Sequence, residues 1–269
     1  MSTYPNNIST HAVFHRLTQR WRLPLAVGIL GSVLGLFLSI LFPARYEAKA
    51  VITLGVDYSR TEALDLVVED RVLDRAWVLF TSPETMEETL ARLQANYGIE
   101  AAWQDLASLR EHVRLDGYFT RWQFIGVHED PDRAAQIANA WRDVAFSRLE
   151  QAMDHAWKAA SIQGVKFDVA CVETIYGQPV EAIWQCYSFG PEVSQEVIDV
   201  LRSEVAASHG IAPVLSYEMG EAAQPPESAT QWPRGLLVFS GGMLGLILGC
   251  VLAIASKGSD VQGSSTSGG

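Results

Sequence analysis

Two unbroken apolar runs bracket a long middle stretch in which apolar residues recur either at every second position or at helical spacing. The first run, LPLAVGILGSVLGLFLSILF, covers Leu23 to Phe42, and the second covers Gly235 to Ala255 without a charge. At about 1.5 Å of rise per residue, each reaches across the roughly 30 Å hydrocarbon core of a bilayer as a helix. The first run is too long for the apolar region of a signal peptide, and LSILFPARYE after it offers no A-x-A-like cleavage site. The pattern therefore predicts two membrane-spanning helices, 23–42 and 235–255, around a single domain with its own core.

Within that domain YEAKAVITLGV (46–56) alternates, with Tyr46, Ala48, Ala50, Ile52, Leu54 and Val56 on one face of a strand. TEALDLVVEDRVLDRAWVLF carries Leu64, Val67, Val68, Val72, Ala76, Trp77 and Phe80 at helical spacing, which predicts a helix with those residues in the core. Ser82 as N-cap, Pro83 at the first helical position and Gly98 at the end delimit a second helix. HVRLDGYFTRWQFIGVH (112–128) reads as a hairpin turning near Asp116-Gly117. Asp130 and Pro131 start a long helix whose apolar stripe is Ala134, Ile137, Trp141, Val144 and Ala145. After a break at Gly164, residues 165–189 read as a second hairpin turning at YGQP. A helix near 192–208 and a strand in PVLSYEM complete the domain. The expected class is α+β: an extracytoplasmic sheet-and-helix domain between two transmembrane helices.

Charge orients the chain. Arg16, Arg20 and Arg22 precede the first span, no acidic residue occurs in 1–43, and Lys257 follows the second span. The positive-inside rule then puts residues 1–22 and 256–269 in the cytoplasm and the domain, 43–224, outside the plasma membrane. From Ala44 to Arg234 there are 16 basic and 30 acidic residues, a net of −14. Such a surface repels nucleic acid and anionic headgroups, so neither is an expected partner. The tail SKGSDVQGSSTSGG is of low complexity.

Catalytic patterns are missing. His128, Glu129, Asp130 and Asp132 lack the spacing of a zinc or calcium motif, and helix capping accounts for both aspartates. There is no G-x-S-x-G, H-E-x-x-H or dinucleotide-binding glycine pattern. No enzyme activity, metal or cofactor is expected. Of the tryptophans, Trp77 and Trp141 fall on apolar stripes and are assigned to the core rather than to sugar stacking. Gly241, Gly245 and Gly249 recur every fourth residue, as do Gly31 and Gly35, a spacing that lets helices approach closely in lipid. They are the candidate packing surface, within one chain or between copies. Cys171 and Cys186 lie symmetrically about Gln178-Pro179. They are either bridged or two buried thiols on facing strands. Pro225, Pro226 and Pro233 exclude helix and central strand and make 225–234 a stiff extended connector into the second span.

These residues resemble the polysaccharide co-polymerases, the Wzz-type chain-length determinant proteins. The likeness lies in the basic stretch, span and strand YEAKAVITLG, in LFTSPETMEETLARL, in VHEDPDRAAQIANAW, and in the proline segment before a glycine-rich span. Its most specific part contains Asp130, Pro131, Ala134 and Asn139, joined by Pro225, Pro226 and Pro233. The prolines here are separated by ESATQW where the family repeats them every third residue, and 161–212 is shorter than the family's helical extension. The resemblance implies a non-catalytic regulator of O-antigen, capsule or exopolysaccharide polymerisation, chain length or export. Such a protein acts as a ring of identical subunits with a polymerase or export machinery and a lipid-linked glycan. No G-x-x-x-x-G-K-[ST] loop follows the second span, so any tyrosine kinase that takes part is a separate cytoplasmic protein. The alternative is a membrane-anchored sensor, a ligand-binding module or an adaptor for such a kinase.

Overall fold

Strand β1 (Tyr46–Val56) is one of the two inner strands of a four-stranded sheet and is buried on one face from Ala48 onward, with Ala50 and Ile52 fully covered. A computed structural model describes residues 20–41, 44–230 and 234–255. It divides into two compact units. One holds helices α1 (Arg22–Leu41) and α8 (Arg234–Ala255), and the other is Tyr46–Ser228.

In the larger unit β1 pairs antiparallel with β3 (Arg121–His128) on one side and β6 (Leu215–Met219) on the other. β2 (Val113–Tyr118) adds outside β3, giving the order β2-β3-β1-β6. Helices α2 (Leu66–Phe80), α3 (Pro83–Tyr97) and α4 (Leu106–Glu111) lie between β1 and β2 in sequence. Each starts at a side-chain cap: Asp65 accepts from Val67 N–H, Ser82 from Thr85 N–H and Asp105 from Ser108 N–H. The mixed sheet-and-helix architecture is the expected α+β class, flanked by two helices long and apolar enough to cross a membrane.

Helix α5 (Pro131–Ser161) packs across β1 and β3. Its 31 residues make it about 46 Å long at the standard rise. Its buried stripe is largely alanine, which lets the backbone come close to the sheet. The contact is so tight at β3 that a Cβ on Gly126 would run into the Ala134 carbonyl and lie 2.9 Å from Ala138 N. Buried Trp141 donates its indole N–H to the Phe80 carbonyl at 3.0 Å, joining α5 to the end of α2. A core chain of edge-on rings, Trp141–Phe124–Phe80–Trp122, runs beneath.

Two expected hairpins are revised. The first turns at Phe119-Thr120; Asp116 and Gly117 lie inside β2, opposite Gln123 and Trp122. In the second, only β4 (Val165–Phe167) and β5 (Tyr187–Phe189) pair. Asp168 accepts the Ala170 N–H at 3.0 Å, and this side-chain turn ends β4 and opens the short helix α6 (Cys171–Thr174). A 3₁₀ stretch, Val180–Cys186, returns the chain, so Cys171 and Cys186 do not sit on facing strands. Helix α7 (Gln195–Ala207), capped by Ser194, packs on α5 before β6.

Candidate functional site

The residues singled out in the sequence fall into three places. In the helical unit, the glycines line the contact between α1 and α8 of one chain. A Cβ on Gly31 would strike the Gly241 carbonyl and sit 3.2 Å from Gly245 Cα. One on Gly35 would meet Leu237 and Val238, one on Gly245 would meet Val27 and Gly28, and one on Gly249 would lie 2.5 Å from Pro24 Cα. The helices run antiparallel, backbone against backbone, and no larger residue fits at these positions. Of the two arrangements open from sequence, the geometry recorded is the one within a chain. In the same unit Thr230 N–H donates to the Arg45 carbonyl at 2.9 Å, so the two connecting segments run side by side.

The second place gathers the DPDRAAQIANAW residues. Asp130 caps α5, accepting from Asp132 N–H at 2.8 Å and Arg133 N–H at 3.3 Å, and Pro131 occupies the first turn. Ala134 is fully buried against Gly126. Asn139, two turns further, donates its amide to the Ala223 carbonyl at 2.9 Å and accepts the Ala223 N–H at 2.8 Å. This two-point clamp holds the chain just after β6, where Gly220 N–H also bonds the Val51 carbonyl and Val51 N–H bonds the Glu221 carbonyl. Pro225 and Pro226 follow immediately, in extended backbone outside any strand, Pro225 exposed and Pro226 half-buried. Pro233, Arg16 and Lys257 lie outside the described residues. Asp130, Pro131, Ala134 and Asn139 therefore serve a single structural end: they start a helix, seat it on the sheet and tie it to the segment entering the prolines. The resemblance groups Asn139 with these residues and the prolines; the bond from Asn139 to Ala223 that ties helix to proline segment has no signal in the spacing.

Beside the start of α5, His128 accepts the Asp130 N–H at Nδ1, 3.0 Å away. Burial, and then the His112 ring 5.9 Å from it, hold the His128 imidazole below its ordinary value despite the nearby Glu100, Asp130 and Glu129. Among the described residues no group of three or more histidine, cysteine or acidic side chains is placed to hold a metal.

The third place is the lobe between β4 and β5. Cys171 and Cys186 are joined as a disulfide with their Cα atoms 5.4 Å apart. The bridge closes a loop that covers Val172, Ile175 and Ile183. The lobe docks on α2, where buried Arg75 donates to the Ile175 carbonyl at 2.9 Å and the Arg71 guanidinium lies 3.5 Å from the centre of the Tyr176 ring. Trp77 departs from its expected place in the core: 42% of it is exposed, rotated about 100° around α2 from its buried neighbour Ala76.

No family model matches this chain, and no curated protein matches it. Among solved structures, a full-length bacterial polysaccharide co-polymerase aligns with 93% of this chain and 96% of its own, at 10% identity and a TM-score of 0.35. A likeness at that level carries no argument about this chain's activity.

Proposed function

We propose that the chain is a non-catalytic membrane regulator of polysaccharide polymerisation, chain length or export that works as a homo-oligomer. The observation that supports this reading is the clamp from Asn139 to Ala223. The residues that carry the resemblance to chain-length determinants lie far apart in sequence, yet they form one connected piece that links the domain's long helix to its proline exit. A strand that begins just after the first apolar helix and one that ends just before the prolines are neighbours in the sheet. In this reading both termini are cytoplasmic, given Arg20, Arg22 and Lys257, and the domain lies outside the plasma membrane. The partners are further copies of the chain and a polymerase or export machinery with its lipid-linked glycan; any tyrosine kinase that takes part is a separate cytoplasmic protein. Copies in a ring would multiply weak glycan contacts by effective concentration.

The experiment is deletion of the gene in its native host, followed by gel separation of the surface glycans. A regulator's loss changes the spread of chain lengths while sugar is still polymerised. Unchanged amount and length of every surface glycan would refute the proposal. A reduced yield of polymer at unchanged length would point to an enzyme.

A further inference from the structure

Helix α2 and the β2–β3 hairpin enclose a cleft of about 240 Å³ in the domain, lined by Asp70, Asp74, Trp77, Gly117, Phe119 and Trp122 together with Leu73. Asp70, Asp74 and Trp77 share one face of α2 through their spacing of four and three. Trp122 packs tilted against Trp77 with ring centres 5.9 Å apart. Gly117 lets the Trp122 ring lie close under β2, since a Cβ there would be 2.9 Å from it. Trp122 is 3% exposed, and its indole Nε1–H has no acceptor among the described residues.

Phe119 is the informative residue. It occupies the hairpin turn at φ 48°, the left-handed region where glycine or asparagine is at ease and an aromatic side chain is strained. Its ring is 65% exposed and that of Tyr118, edge-on to it at 4.8 Å, is 75% exposed. Neither core packing nor turn chemistry accounts for a strained, solvent-facing phenylalanine. Strain of this kind is retained where the side chain has work to do.

The chemistry of the walls narrows the occupant. Aromatic faces with carboxylates suit either a cation or a polyol. Asp74 is engaged by Arg71 at 3.5 Å and the Tyr176 hydroxyl at 3.4 Å, while burial and the neighbouring Asp70 charge push its carboxyl above the usual range, so the cleft does not hold two full negative charges free for a cation. What remains is aromatic ring surface beside a mainly polar lining that includes the Asp70 carboxylate. The C–H face of a sugar ring packs on the first and its hydroxyls donate to the second. The volume is of the size that one or two sugar rings fill.

We propose that this cleft is a saccharide-binding site, with Trp77 and Phe119 as stacking rings and Asp70 as acceptor of hydroxyl protons. The proposal rests on the glycan-directed reading above for the source of the sugar.

The test uses the full chain in lipid nanodiscs. The probe is short oligosaccharide released by mild acid from the surface glycan of the native host, its affinity measured by calorimetry and the size of the assembly by light scattering. Wild type binds; Trp77→Ala and Phe119→Gly each weaken binding about tenfold, and Asp70→Asn weakens it less. Phe119→Gly relieves the backbone, so that variant melts no lower than wild type while binding less. Absence of binding by wild type, or equal affinity in wild type and Phe119→Gly, would overturn the site. So would a smaller assembly with unchanged affinity, which would make the hairpin tip a contact between copies. If deletion of the gene alters glycan length but wild type binds no oligosaccharide, the site fails and the regulator survives. Binding that requires Phe119 alongside unaltered lengths in the deletion strain supports the site and sinks the regulator.

Discussion

Asn139 uses both ends of its amide on one backbone residue, and the geometry leaves little tolerance: a donor bond of 2.9 Å and an acceptor bond of 2.8 Å to Ala223. Ala223 is 6% exposed, so removing the side chain strands a buried N–H and a buried C=O. Asn139→Ala is expected to destabilise the domain by about 2 kcal/mol, chiefly through those stranded groups. Asn139→Asp keeps the acceptor and loses the donor, and should fall between the two. Denaturant melts of the full chain check the order, and hydrogen exchange at Ala223 should quicken in both variants. His128 gives a prediction of a different kind. Its folded-state value lies below the ordinary 6.5, so the neutral ring is the form the fold favours. The unfolded chain then binds the proton more readily. This contribution to stability is present in full above 6.5 and is lost as pH falls through 6.5 toward the depressed value. Protonation at Nδ1 would also break the bond from Asp130 N–H at the start of α5. The melting temperature should drop as pH is lowered from about 7.5 to about 5.5, and His128→Gln should flatten that slope. An identical slope in the variant would show that other groups carry it.

The two apolar helices can be tested as a pair. A Cβ on Gly242 would lie 3.8 Å from the Ser32 Cβ, a separation within the range of a disulfide. With Cys250 replaced by alanine, Ser32→Cys with Gly242→Cys should cross-link inside one chain, shifting its mobility on a gel without forming a dimer. Adding Gly245→Leu should abolish the link, because Val27 and Gly28 leave no room for the side chain. A link between chains would instead assign the glycine surface to neighbouring copies. At this scale the sequence was readable wherever one local signal acted alone. Ser82-Pro83 and Asp130-Pro131 start helices because capping needs only neighbours, and β1 shows its buried face by alternation. It misled where local and long-range signals competed. Asp116-Gly117 looks like a turn, but Gly117 is there for the Trp122 ring, and the turn falls on Phe119, which no turn rule selects. Residues 165–189 read as a hairpin because they are rich in strand formers, yet the Asp168 turn breaks the strand early. Trp77 shares the helical spacing of its apolar neighbours and still faces out; only the position of the hairpin could have distinguished it. The cleft was invisible for the same reason, since Asp70 and Phe119 are brought together by the fold alone.

At the scale of the whole molecule, the larger unit is an acidic α+β domain whose entry strand and exit strand are paired, and whose exit is clamped by its longest helix. The smaller is two apolar helices in close contact through glycines. In the proposed role the chain acts with further copies, a membrane and a polymer, and carries out no reaction itself. Amount and length of product therefore separate the possible roles. The decisive measurement holds the polymerase constant and expresses this chain at graded levels, from none to several times native, while the surface glycan is resolved by size and its total sugar is weighed. The account predicts that the most frequent chain length moves with the level of this protein while total sugar stays nearly constant. Total sugar rising in proportion to the protein at a fixed length distribution would contradict it.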